Sequence, residues 1–145
     1  MISILIGALL LSPIQVSEAP ANVVYQDYPE YPEWRPDAPI PERPHLTKSA
    51  GVFYGVSGKE KYYNLPMGRC ITNMRNMGYS VEEYPYWIRE DGAKMLGCYV
   101  MCASNNNIRP KGTILETSLG MAIVVDNCGE ACSSDPTLLD MCTDW

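Results

Sequence analysis

The chain has one histidine in 145 residues, His45, and it sits beside Pro44 in a proline-dense stretch upstream of any expected folded domain. Ser-His-Asp and Cys-His catalysis are therefore excluded, because both need an imidazole held against a nucleophile by a rigid scaffold. Whatever chemistry the protein performs falls to Asp, Glu, Tyr, Lys or Cys. An excess of positive charge is also missing: 11 Lys and Arg stand against 17 Asp and Glu, a net charge of -6. Phosphate backbones demand a basic field, so no nucleic-acid partner is expected. The apolar run from Ile2 to Leu11 is too short to span a bilayer. With 46% hydrophobic and 19% charged residues, the composition is ordinary for a globular chain with room for one small domain.

The run from Ile2 to Leu11 reads instead as the apolar part of an export signal. Pro13 follows it, and Ser17, Ala19 and Ala21 are small residues at cleavage spacing. No Lys or Arg precedes the run, so the terminal amine alone supplies positive charge there. Residues 1–21 are expected to be a signal peptide cut after Ala19 or Ala21; the alternative is the start of a membrane anchor. Either reading puts the body of the protein outside the cytoplasm, secreted or associated with the cell wall, with no membrane contact after cleavage. Residues 22–48 interleave Pro29, Pro32, Pro36, Pro39, Pro41 and Pro44 with Tyr25, Tyr28, Tyr31, Trp34 and several acids. That spacing sustains neither helix nor ladder and predicts an extended, acidic linker. Its aromatics offer a grip on glycan or protein as the alternative.

Residues 49–145 form the expected domain. Gly51 to Val56 reads as a glycine-bounded strand and Ser57 to Glu60 as a turn. A helix is expected next: Asn64 and Pro66 are start signals, Met67, Ile71, Met74 and Met77 share a face, and Gly78 is placed as a left-handed cap. Ser80 and Glu83 have capping-box spacing, which Pro85 limits to a turn. Tyr86 to Arg89 and Cys98 to Ala103 read as strands, with Glu90-Asp91-Gly92 as a turn between them. Thr113 to Thr117 and Met121 to Val125 follow as strands, and Leu138 to Met141 closes the series. Two of these apolar segments present an aspartate, Asp126 and Asp140, near a Gly/Cys loop. Carboxylates placed on a rigid β-scaffold can do acid chemistry on sugars.

Gly51 to Tyr54, Pro110-Lys111-Gly112-Thr113 before a strand, Val124-Val125-Asp126 and Leu139-Asp140 together resemble the double-psi β-barrel group. That group includes the 3D domain of lytic transglycosylases and the expansin-like wall proteins. The match is closest over residues 110–141. The resemblance implies a small six-stranded closed barrel, here with a helical insertion, and both aspartates in an open groove. It implies peptidoglycan or a related polysaccharide as partner, and it places Asp140 where the family's catalytic acid sits. Between the aspartates, residues 127–137 are longer than in the 3D pattern and carry one glycine where that pattern has a pair; the two cysteines there look more like the expansin version.

A glycosidic bond breaks when an acid protonates the leaving oxygen while positive charge develops on the ring. The resemblance makes Asp140 the expected acid and base of a lytic transglycosylase, and apolar Leu138, Leu139 and Met141 around it can raise its pKa. Asp126 is expected to stay ionised and hold substrate or loop. Tyr54, Trp87 and Lys111 are the expected substrate contacts. Two other readings stay open: a wall-binding or wall-loosening module that cuts no bond, and a structural or interaction domain in which the aspartates merely form turns. Arg89, Lys94 and Lys111 could meet peptidoglycan carboxylates, against a solvated surface position that is the better expectation for each.

The six cysteines suggest an oxidising compartment. Fifteen full pairings exist, and Cys128 with Cys132, in a loop able to fold back, is the favoured bond. Cys98 and Cys102 on one extended strand would have α-carbons about 13 Å apart, too far to bridge. Zinc held by Cys128, Cys132 and Cys142 would lack a recognised spacing, so neither metal nor cofactor is expected. A monomer is expected.

Overall fold

The computed structural model describes residues 38–145. The expected signal peptide and the linker up to Asp37 lie outside the described residues. Eight strands and one α-helix follow: β1 (Phe53–Gly55), β2 (Gly58–Tyr63), α1 (Gly68–Asn76), β3 (Tyr86–Ile88), β4 (Lys94–Leu96), β5 (Tyr99–Ser104), β6 (Ile114–Thr117), β7 (Gly120–Asn127) and β8 (Leu139–Cys142). A single 3-10 turn at Gly129–Cys132 precedes β8. The domain is mainly β with one helix, in line with the short apolar segments read from the sequence.

β5 organises the sheet. All its residues are buried, so its amides and carbonyls must be satisfied by neighbouring strands. β7 runs parallel along one edge, from Val100 opposite Ala122 to Ser104 opposite Asn127. The other edge is shared: β4 pairs with Val100 and Tyr99, and β8 pairs antiparallel with Cys102 and Ala103. From there β8 pairs parallel with β2, β2 forms a hairpin with β1, β4 pairs with β3, and β7 pairs with β6.

This mixed eight-stranded sheet differs from the expected six-stranded closed barrel, because the ladder stays open. Where the β6–β7 turn meets β2, side chains span the gap instead of a strand pair. The Glu60 carboxylate, fully buried, accepts from the Ser118 backbone N–H at 2.8 Å and from the Ser118 hydroxyl. Burial pushes the Glu60 carboxyl above its ordinary value, although Ser118 and Arg43 pull the other way. Gly55 leaves the room this needs: a Cβ there would collide with Glu60 Oε1.

Two cores flank the sheet. On one side Met95, Val100, Leu115, Val124, Leu139 and Met141 pack together. Leu46 and Ala38 of the N-terminal segment cover them. Packing therefore begins well before Gly51. The Arg43 guanidinium donates to Thr117 O at 3.0 Å and pairs with Glu116 at 2.7 Å, while Leu46 N–H donates to Ser118 Oγ at 2.9 Å. Residues 38–48, which proline spacing assigned to a linker, lie on the sheet.

On the other side Met101, Ile123, Val125 and Cys142 meet α1 through Met67, Cys70 and Met74. The expected methionine stripe is present and packs as expected. Gly78 takes φ +100 after the last turn, and Tyr79 N–H returns to Met74 O at 3.1 Å.

Two cations expected in solvent are instead structural. Arg89 is 5% exposed and makes a two-bond pair with Asp91 at 2.9 and 2.8 Å. It also donates to Leu119 O at 2.9 Å and so ties the β3–β4 turn to the β6–β7 turn. Lys94, also 5% exposed, donates to Asn64 Oδ1 at 2.7 Å and to Leu65 O at 2.8 Å, which anchors the entry to α1. Burial alone would raise the Asp91 carboxyl, but the Arg89 bonds and charge bring it below 3.8.

Breaking a buried pair from one side leaves the other charge stranded. Arg89→Ala is expected to lower unfolding free energy by about 3–5 kcal/mol in urea titration at neutral pH. Because the folded Asp91 pKa is depressed, the pair's stabilisation is present above the unfolded value and disappears as pH falls through the folded one. The deficit of the variant should therefore shrink in strong acid; a constant deficit would contradict this account.

Candidate functional site

The two aspartates are brought into one row of the sheet. Ala103 of β5 lies opposite Asp126 of β7 on one side and opposite Asp140 of β8 on the other. Beyond Asp140 the row continues to Lys61 of β2. Strand spacing sets the Asp126 and Asp140 α-carbons about 10 Å apart.

A register break decides which way Asp126 points. Cys102 pairs with Val124, but Ala103 pairs with Asp126, so Val125 is an extra residue on β7. Without that bulge Asp126 would share the face of Ala122 and Val124; a one-residue slip is enough to reverse a strand's faces. With it, Asp126 joins the helix-bearing side. Asp140 reaches the same side by simple alternation with Leu139 and Met141, which pack into the opposite core.

Asp126 lines a groove of about 310 Å³ between the sheet and α1, together with Lys111, Arg69, Cys70, Asn73 and Tyr63. Leu65, Pro66 and Met67 form its apolar wall. Asp126 Oδ1 accepts from the Asn127 N–H at 2.9 Å, the local bond expected of a turn-forming aspartate. The Cys70 thiol is hydrogen-bonded to the Asp126 side chain. Burial, then the Asp126 charge, push that thiol up to about 11, so Cys70 stays protonated at neutral pH and is a poor nucleophile. At the groove's back the Cys142 thiol lies 3.0 Å from the Tyr63 hydroxyl, and burial raises both groups.

Asp140 has a different environment. It is half-buried, its Oδ1 is buried with no hydrogen-bond partner, and burial raises its pKa against the opposing pull of Lys61. The rise comes from desolvation, not from a second carboxylate sharing a proton. Of the residues expected to form the site, Asp126 and Lys111 share the groove and Asp140 lies along the same row, outside its lining.

Tyr54 stands on β1 opposite Lys59, 74% exposed, with the Lys59 ammonium 5.8 Å from its ring centre. It also borders a second cavity of about 240 Å³ with Arg43, Phe53 and Val56. Trp87 is not brought to the aspartates. It packs against the opposite core beside Met95, and its indole N–H donates to Gly97 O at 2.8 Å. Cys128 and Cys132 are bonded as expected, with α-carbons 5.7 Å apart, in the loop that joins β7 to β8. Cys70, Cys98, Cys102 and Cys142 are thiols. No group of three or more metal-ligating side chains occurs among the described residues.

Sequence reading missed Tyr63, Arg69, Cys70 and Asn73. A signal for two of them exists: Arg69 and Asn73 are four apart and therefore share a helix face. No protein-family model, curated protein or solved structure matches the chain.

The raised Asp140 pKa has a stability consequence. Its protonated form suits the fold, so its contribution is fully present below the ordinary value of 3.8 and is lost as pH rises through the folded value. Asp140→Asn removes that loss. Chemical denaturation is expected to show the variant gaining on the wild type between pH 3 and pH 7; parallel pH profiles would show that Asp140 is not desolvated.

Proposed function

We propose that this chain is an exported, glycan-active relative of the double-psi β-barrel group and that it cleaves peptidoglycan as a lytic transglycosylase. In this relative the Glu60 and Ser118 bonds span the gap left by strand pairing. The observation that carries the reading is Asp140: a half-buried carboxyl with raised pKa, one of whose oxygens is buried without a hydrogen-bond partner, on the same sheet row as a polar groove. An acid that must donate near neutral pH needs such a raised pKa, and an oxygen already tied to backbone amides would be a poor donor.

The chemistry requires one carboxyl. Protonated Asp140 gives its proton to the glycosidic oxygen as the bond to C1 breaks and positive charge spreads over the ring. The resulting carboxylate then takes the proton of the sugar's own C6 hydroxyl while that oxygen bonds to C1. The products are an anhydro sugar and a free hydroxyl at the leaving end, and Asp140 ends protonated, as it began. Asp126 and Lys111 hold the substrate in the groove, and water is not consumed.

A second reading has its own support. The groove is lined by Asp126, Lys111, Arg69 and Tyr63 without Asp140, an arrangement that suits a wall-binding module. Incubating purified residues 22–145 with peptidoglycan and weighing the soluble muropeptides separates the two. Anhydro-muropeptides from wild type, and none from Asp140→Asn, are expected. Reducing-end products would instead indicate hydrolysis with Asp126 as a catalytic partner, and sedimentation on the wall without release would favour the binding module.

A further inference from the structure

Half of the lysines and arginines among the described residues are committed to the protein's own fold. Arg43 pairs with Glu116, Arg89 with Asp91, and Lys94 is bound to Asn64 and Leu65. Arg75 donates to the carbonyls of Tyr79, Ser80 and Tyr84. Arg109 donates to those of Thr137 and Ser57. By contrast, the side chains of Lys59, Lys61, Arg69 and Lys111 make no ion pair or hydrogen bond to any described residue.

Lys48, also without a side-chain partner, is on neither β2 nor the groove lining, but these four lie together. Glu60 and Tyr62 of β2 turn toward one core, so Lys59, Lys61 and Tyr63 alternate onto the other side, that of α1. Tyr63 borders the groove, where Arg69 and Lys111 lie on its lining. Tyr54 extends the track at its far end beside Lys59. From Lys59 to Tyr63 the strand covers about 13 Å, and the groove adds to it. The acids on this face are spaced among the cations: Asp140 opposite Lys61, Asp126 in the groove, and Asp135 within electrostatic reach of Lys59. None closes an ion pair with them. On a chain of net charge -6, uncommitted cations gathered beside two tyrosine rings are suited to meet anionic groups spaced along an extended ligand.

We infer that this face binds an extended glycan bearing carboxylates, with its chain running along β2 from Tyr54 to the groove. The inference rests on the glycan reading above and adds its charge requirement. Lys59, Lys61, Arg69 and Lys111 meet successive carboxylates, and the tyrosine rings lie against sugar faces. Charge, more than sugar identity, sets the preference.

The test uses purified peptidoglycan in two forms, native and with its carboxylates converted to neutral amides by carbodiimide coupling to ammonia. Binding of the purified protein to each is measured by sedimentation at low salt and at about 0.5 M salt, where exposed charges are largely screened. The native form is expected to bind at least about tenfold more tightly than the amidated one. That preference should vanish at high salt and in a Lys59→Gln, Lys61→Gln, Arg69→Gln, Lys111→Gln variant whose circular dichroism matches wild type. Lys48→Gln, an exposed cation outside the track, is expected to leave the preference intact. Equal binding to both forms would overturn the charge requirement and leave the glycan reading standing; binding to neither would overturn both.

Discussion

The structure depends on the hydrogen-bonding capacity of one strand. β5 is buried at every position, so both of its edges must be filled along their length. β7 fills one; the other is divided between β4 and β8. That division brings the C-terminal strand into the middle of the sheet, and it also lays Asp126 and Asp140 on either side of Ala103. The bulge at Val125 then turns Asp126 toward α1. The candidate site is thus a consequence of how a buried strand satisfies its backbone, and the side chains follow from the register.

The two carboxylates do different things because their surroundings differ. Asp126 is engaged by the Asn127 amide and the Cys70 thiol at the rim of a groove that also holds Lys111. Asp140 lacks such bonds on one oxygen and is raised by burial. One scaffold thus gives two carboxylates of the same row unlike surroundings, one bonded at a groove and one desolvated. Glu60, a fully buried carboxylate, serves the fold instead. Its Ser118 bonds close a gap in the sheet, and Gly55 makes room for it.

Much of the fold was legible where burial is apolar. The run containing Val100 to Ala103 announced a buried strand, the methionine spacing pointed to α1, and Gly78 marked its end. β2 was not legible: Ser57 to Glu60 read as a turn, and Lys61 to Tyr63 were given no strand, because the inward residue is a glutamate. Arg89 and Lys94 misled for the same reason, since paired or hydrogen-bonded cations can be buried without any apolar signal. The Asp126 and Asp140 pair was legible as an aspartate at each of two apolar segments, while their common row depends on a bulge that spacing does not reveal. Trp87, a plausible sugar platform by residue type, was drawn to the opposite core by alternation along β3.

The account turns on the protonation of Asp140. Titrating its side-chain carboxyl carbon by NMR in the folded protein, with Asp140→Asn used to assign the resonance, measures it directly. A midpoint clearly above 3.8 is expected, since burial outweighs the pull of Lys61. A midpoint at or below that value would mean an ionised, solvated carboxylate at neutral pH, and it would contradict the role of Asp140 as the acid.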